Sequence, residues 1–93
     1  RVNGNISMGS QYKHWIIKEF IMYVKSNYPQ YKIEEEMGRL YLTNGKKDCI
    51  ELLKPNLTLT SYTHSSAECK KIKKHLEEIL LMLGVGWEYL KPH

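Results

Sequence analysis

Long apolar runs are missing from this chain. The longest, Ile79 to Leu83, is far below the roughly 20 residues that a membrane-spanning helix needs, so no membrane partner is expected. Cysteine is scarce. There are 2 among 93 residues, Cys49 and Cys69, and they form no CxxC pair. A secreted domain of this size held by disulfides usually carries about four or more. Two reduced, buried thiols in an intracellular, cytoplasmic protein are expected instead. Arg1 to Ser10 contain no apolar stretch of the kind a secretory signal needs, in line with that expectation. The sequons Asn5-Ile6-Ser7 and Asn56-Leu57-Thr58 are then incidental.

Catalytic signatures are missing as well. There is no GxSxG elbow and no glycine-rich phosphate loop. His14, His64, His75 and His93 stand at no i, i+4 or HxH spacing with another His or Cys. Cys49, His64 and Cys69 could meet only in space, and buried thiols with a solvated histidine are the plainer reading. No metal and no cofactor is expected. Asp48, Glu51 and Lys54 have the residue types of a metal-dependent nuclease centre. Such a centre needs the last acid and the lysine on one strand face, two residues apart. Here the step from Glu51 to Lys54 puts them on opposite faces. Cys69 projects onto the apolar stripe of a helix, which suits packing and not attack. An enzyme is not expected.

What is present is one small globular domain. Apolar residues make up 42%, too many for a disordered chain, and the length suits a single core. Residues 1–10 are expected to be a flexible arm, 11–84 the domain and 85–93 a tail. Ser10 is placed to cap a helix over Gln11 to Asn27, with Ile16, Ile17, Phe20, Ile21 and Val24 on one arc. Tyr28-Pro29 ends it, because a residue before proline avoids helical geometry. Tyr31, Ile33 and Glu35 alternate as a short strand would, and Met37-Gly38-Arg39 reads as a turn.

Leu40 and Leu42 then alternate with Arg39, Tyr41 and Thr43. Asn44-Gly45 is a strong hairpin signal. Ile50 and Leu52 alternate with Cys49, Glu51 and Leu53, and after the turn at Lys54-Pro55-Asn56, Leu57 and Leu59 alternate with Thr58, Thr60 and Tyr62. Ser65-Ser66-Ala67-Glu68 reads as a capping box with Ser65 at its head. Cys69, Ile72, Leu76, Ile79, Leu80 and Leu83 form the apolar stripe of the second helix, and Gly84 is its expected end. The fold class is therefore α+β: an antiparallel meander of three or four strands, flanked by an N-terminal and a C-terminal helix packed on one face. The other sheet face, with Arg39, Tyr41, Thr43, Cys49, Glu51, Thr58, Thr60 and Tyr62, is left open.

The net charge is +4, from 14 Lys and Arg against 10 Asp and Glu. The cations cluster. Lys70, Lys71, Lys73 and Lys74 crowd the start of the second helix, and Lys46 and Lys47 stand at the hairpin tip. Lysines near a helix N-terminus oppose the macrodipole, a cost that a bound anion would offset. Solvation alone also accounts for such a run. Lys46, Lys47, Lys70, Lys71 and Lys74 are the candidate phosphate contacts, with Arg39, Tyr41 and Tyr62 lining the open face. That face, or the apolar tail from Trp87 to Leu90, equally suits a protein partner or a second copy.

Several segments carry a resemblance. From Tyr12 to Leu83 the chain resembles the smaller Alu-domain subunit of the signal recognition particle. The segments are Tyr12-Lys13-His14-Trp15, Lys46-Lys47-Asp48-Cys49-Ile50, Tyr62-Thr63 and Lys70-Lys71-Ile72. The resemblance implies a fold of helix, three antiparallel strands and helix, an RNA ligand and a sister subunit. It assigns backbone contacts to Lys46, Lys47, Lys70 and Lys71. Tyr31 to Met37 departs from it, leaving room for a strand that the family lacks. Leu40-Tyr41-Leu42 to Leu57-Thr58-Leu59, around the Asn-Gly turn, also looks like the wing hairpins of small bacterial double-wing domains, a resemblance that implies DNA binding or a place beside a restriction system. The expected function is a non-enzymatic nucleic-acid-binding module, for RNA more than DNA, acting with a protein partner or as a dimer. The alternative is a protein-interaction or oligomerisation module.

Overall fold

Leucine and isoleucine alternate along three consecutive strands, and that alternation builds the core. The computed structural model describes the backbone of residues 4–45 and 47–90, and the side chains of 14–45 and 47–84. The elements are α1 (Gly4–Asn27), β1 (Lys32–Glu36), β2 (Arg39–Asn44), β3 (Asp48–Leu53), β4 (Thr58–Ser61) and α2 (Ala67–Leu90). The strands form one antiparallel sheet in the order β1-β2-β3-β4. The expected α+β layout is present, with four strands. That is one strand more than the resemblance implies, and the extra one is the Tyr31 to Met37 segment.

Pairing of Leu40 with Leu52, Leu42 with Ile50, and Leu52 with Leu59 stacks these side chains on one sheet face. All five are buried there against Ile16, Ile17, Phe20 and Val24 of α1 and Cys69, Ile72, Leu76 and Leu80 of α2. Phe20 is fully enclosed. The helices run antiparallel: Tyr28, just after α1, lies beside His75, and Ile16 lies near Leu80. Two tight turns set the register of β1, β2 and β3. Gly38 and Gly45 take φ of 84° and 75°, which side chains other than glycine adopt at a cost. Leu57 was expected on the core face of the last strand. It sits in the turn before β4 at φ 55° and packs only partly against the core.

Three boundaries differ from expectation. The first helix begins at Gly4, so Ser10 lies inside it and residues 4–10 are helical in backbone rather than an arm. The second helix continues through Gly84 to Leu90. The Trp87 to Leu90 tail is therefore the last turn of α2, and its side chains lie outside the described residues. The N-cap of α2 is Ser66 rather than Ser65: the Ser66 hydroxyl accepts the Cys69 N–H at 3.1 Å. The third residue of the helix is then Cys69, so the expected box with Glu68 does not form.

Candidate nucleic-acid interface

The displaced cap explains how the hairpin tip and the start of α2 are joined. Backbone pairing between β3 and β4 runs out at Tyr62, whose N–H donates to the Cys49 carbonyl at 3.1 Å. The Cys49 N–H faces the same side and has no further strand to bond. Ser65 is buried, and its Oγ accepts that N–H at 3.3 Å. The same hydroxyl points its hydrogen toward the carbonyls of Lys47, at 3.3 Å, and Cys49, at 3.4 Å. Asp48 completes the joint. Its Oδ1 accepts the Ser66 N–H at 2.8 Å and its Oδ2 accepts the Ser66 hydroxyl at 2.9 Å. Lys47 is thereby fixed at the foot of α2, where the Lys70 N–H bonds the Ser66 carbonyl at 3.1 Å.

Cys69, Ile72 and Leu76 turn inward, so Lys70, Lys71 and Lys74 face solvent. Lys47 is exposed beside them. Lys46 lies outside the described residues. The hydrogen bonds through Asp48 and Ser65 thus bring Lys47 to the end of the molecule where α2 begins.

Within the described residues, pairing separates these lysines from the cations of the sheet, though not from Lys18 and Lys25 of α1, which form no ion pair either. Arg39 meets Glu51 at 2.9 Å, Lys54 meets Glu35 at 2.8 Å, Lys32 meets Glu34 at 3.7 Å and Lys73 meets Glu77 at 3.1 Å. Among the described residues, the cations of the strands and their flanks are therefore neutralised locally, apart from Lys47. Among the described residues, Lys47, Lys70, Lys71 and Lys74 form no ion pair. The would-be nuclease residues are also separately employed: Asp48 caps α2, Glu51 holds Arg39 and Lys54 holds Glu35. Among the described residues no group of three or more His, Cys, Asp or Glu could hold a metal ion.

Arg39, Tyr41 and Tyr62 are on the open sheet face, across the core from the lysines of α2. They do not extend the lysine track. Strand β1 brings Glu34 and Glu36 onto this face beside Tyr41 and Arg39, and Glu51 lies opposite Tyr41 on the other side. Three carboxylates there outweigh Lys32 and Arg39, which repels a phosphate backbone. A hydrogen bond donated by the Arg39 guanidinium to the Tyr41 oxygen, together with the Glu51 charge, stabilises the Arg39 cation further. Tyr62 is half exposed, and its hydroxyl hydrogen-bonds the Cys49 thiol, which raises the phenol pKa. Glu34, Glu36, Tyr41, Cys49 and Tyr62 border a shallow recess of about 280 Å³.

A different aromatic group accompanies the lysines. The Tyr23 hydroxyl meets Nε2 of His75 at 2.9 Å, joining α1 to α2. Tyr28 stands nearly perpendicular to His75, with ring centroids 6.4 Å apart and planes at 76°. The sequence alone shows His75 only as a histidine without metal-ligand spacing, and Tyr28 as the end of a helix. The spacing of Lys71 and His75, one helical turn apart, was the available sign that a cation and a ring share a face.

No protein-family model matches the chain, no curated protein matches it, and no solved structure matches it.

Proposed function

We propose that the chain is a non-enzymatic nucleic-acid-binding module whose phosphate contacts are Lys47, Lys70, Lys71 and Lys74. The observation that carries this reading is the division of the cations. Lys47, Lys70, Lys71 and Lys74, all unpaired, lie on α2 or at its foot, whereas Lys32, Arg39 and Lys54 of the sheet are held by carboxylates; the unpaired Lys18 and Lys25 lie apart on α1. A cluster of lysines in the first two turns of a helix works against the helix dipole, and phosphate relieves that conflict. RNA is the ligand that the resemblance to the Alu-domain subunit implies.

Salt dependence tests the proposal. Four lysine contacts give a slope of log affinity on log salt of about −2.8 for a single strand, at about −0.7 per contact. Lys70→Gln and Lys71→Gln should each bring the slope closer to zero by about 0.7, while Arg39→Gln leaves it unchanged. A slope near zero for intact protein on both single-stranded RNA and duplex DNA overturns the reading.

A second reading, association with a protein partner or a second copy, draws support from α2 itself. Leu81 and Met82 remain 70% and 67% exposed on its outer side, beyond the lysines. Sedimentation at high micromolar concentration tests self-association, and a clean monomer removes the dimer version. Among the described residues, no helix is long and apolar enough to cross a membrane.

A further inference from the structure

We propose that the recess between the end of α1 and the first half of α2 is a pocket for one unpaired nucleobase, with Tyr28 and His75 as its ring surfaces and Lys71 on the adjoining phosphate. This deepens the nucleic-acid reading and rests on it. The recess is an open groove of about 410 Å³ lined by Asn27, Tyr28, Gln30, Glu68, Lys71 and His75, with the buried Ile72 beneath them. That volume falls in the range of about 300–1,000 Å³ usual for small-ligand sites.

The lining has three parts, and a nucleotide has three to match. Tyr28 and His75, with planes at 76°, make a floor and a wall for a flat ring. The wall is pre-set, because Tyr23 holds His75 at 2.9 Å and its own ring lies 6.0 Å from the imidazole. Asn27 donates its amide N–H to the Tyr23 carbonyl at 3.0 Å, leaving its side-chain oxygen available as an acceptor. Gln30 adds an amide and Glu68 a carboxylate, so donors and acceptors surround the ring site as the edge of a base requires. Lys71 supplies the cation.

Other ligand classes leave parts of the lining unused. An aliphatic ligand would bury Asn27, Gln30 and Glu68 without partners. A bare anion would meet Lys71 but neither ring. A duplex keeps its base faces stacked inside, so the pocket selects single strands.

The test uses the intact chain, a single-stranded RNA octamer with one 2-aminopurine, and a blunt RNA duplex of the same composition. Stacking quenches 2-aminopurine, so its fluorescence should fall on binding. His75→Ala and Tyr28→Leu should each weaken single-strand affinity about five- to hundred-fold. The salt slope and the duplex affinity should stay unchanged. His75 is exposed, so His75→Ala remains informative if Tyr28→Leu fails to fold. A nucleoside monophosphate should displace the octamer only at tenfold or greater excess; displacement at equal concentration reassigns the pocket to free nucleotides and overturns the strand proposal.

Unquenched 2-aminopurine with intact octamer binding overturns the pocket. So does equal loss of single-strand and duplex affinity in both variants. In those cases a lysine-dependent salt slope still upholds the phosphate reading. Absence of binding to either nucleic acid overturns both.

Discussion

Replacing Ser65 by alanine tests whether the joint between the hairpin tip and α2 is built as described. The substitution removes one oxygen from a buried site. The Cys49 N–H, which donates to that oxygen at 3.3 Å, is left without a partner where β4 has already ended. Losing a hydrogen bond while leaving its buried partner unsatisfied costs about 1–3 kcal/mol. For a domain of this size each kcal/mol lowers Tm by about 4–8 °C, so a mid-range loss of about 2 kcal/mol gives roughly 8–16 °C.

Ser66→Ala is the comparison. It removes the cap on the Cys69 N–H and one of two bonds to Asp48. Ser66 is exposed, so water replaces part of what is lost and the cost is about 1 kcal/mol. Urea unfolding followed by circular dichroism measures both, with m unchanged between variants. If Ser65→Ala costs less than about 0.5 kcal/mol, or less than Ser66→Ala, the Ser65 hydroxyl does not complete the sheet and the reasoning fails. Amide exchange adds a local readout: the Cys49 N–H should lose protection in Ser65→Ala and keep it in Ser66→Ala.

Four further outcomes are expected. Burial pushes the Cys49 thiol above its ordinary 9.0, and burial followed by a hydrogen bond to Cys69 pushes the Tyr31 phenol above its ordinary 10.0. The folded state keeps these protons longer than the unfolded chain does. Their contribution is therefore whole at neutral pH and is lost as the pH climbs past those values; urea midpoints at pH 7.0, 8.5 and 10.5 should show the fall only at the last. Both thiols are buried, so a thiol reagent at pH 8 should modify Cys49 and Cys69 fully in urea and only marginally in the native protein. Gly45→Ala meets no steric neighbour but must hold φ 75°, so it should cost about 1–2 kcal/mol, and Gly45→Asn less. Arg39→Gln should change stability by less than about 1 kcal/mol, because its bridge to Glu51 is half exposed on the arginine side.

Much of the sheet was legible from periodicity. Leu40, Leu42, Ile50, Leu52 and Leu59 alternate with polar neighbours, and Asn44-Gly45 marks the reversal, so the buried face could be read directly. The helix ends were not legible for the same kind of reason that the strands were. Gly4, Asn5 and Gly9 disfavour helix intrinsically, and Gly84 has the residue type of a C-cap, yet the helical backbone runs through all four. One sign was available: Leu83, Trp87 and Leu90 continue the three-and-four spacing of the α2 stripe past the glycines. Ser65 and Ser66 are equally good caps in sequence. The choice between them is made by β3, which needs one of the two hydroxyls for a ladder position and leaves the other to the helix.

The candidate site was legible in its cations and not in its anions, and the difference changes where a ligand fits. Counting Lys46, Lys47 and the lysines of α2 requires only the sequence. Judging the open face requires knowing that β1 exists, because Glu34 and Glu36 reach that face only when β1 pairs with β2. Without β1, Arg39, Tyr41 and Tyr62 form a basic aromatic surface of the kind that binds RNA. With β1 in place, the arginine is committed to Glu51 and the surface carries an excess of carboxylates. The aromatic component of a nucleic-acid site then has to be found on the lysine side. Tyr28 and His75 stand there because Pro29 stops α1 opposite the third turn of α2, which sets the tyrosine that follows one helix against a histidine of the other. A mild net charge of +4 thus divides into an acid-balanced sheet face and an unpaired lysine end, and it is the second that combines free cations with exposed rings.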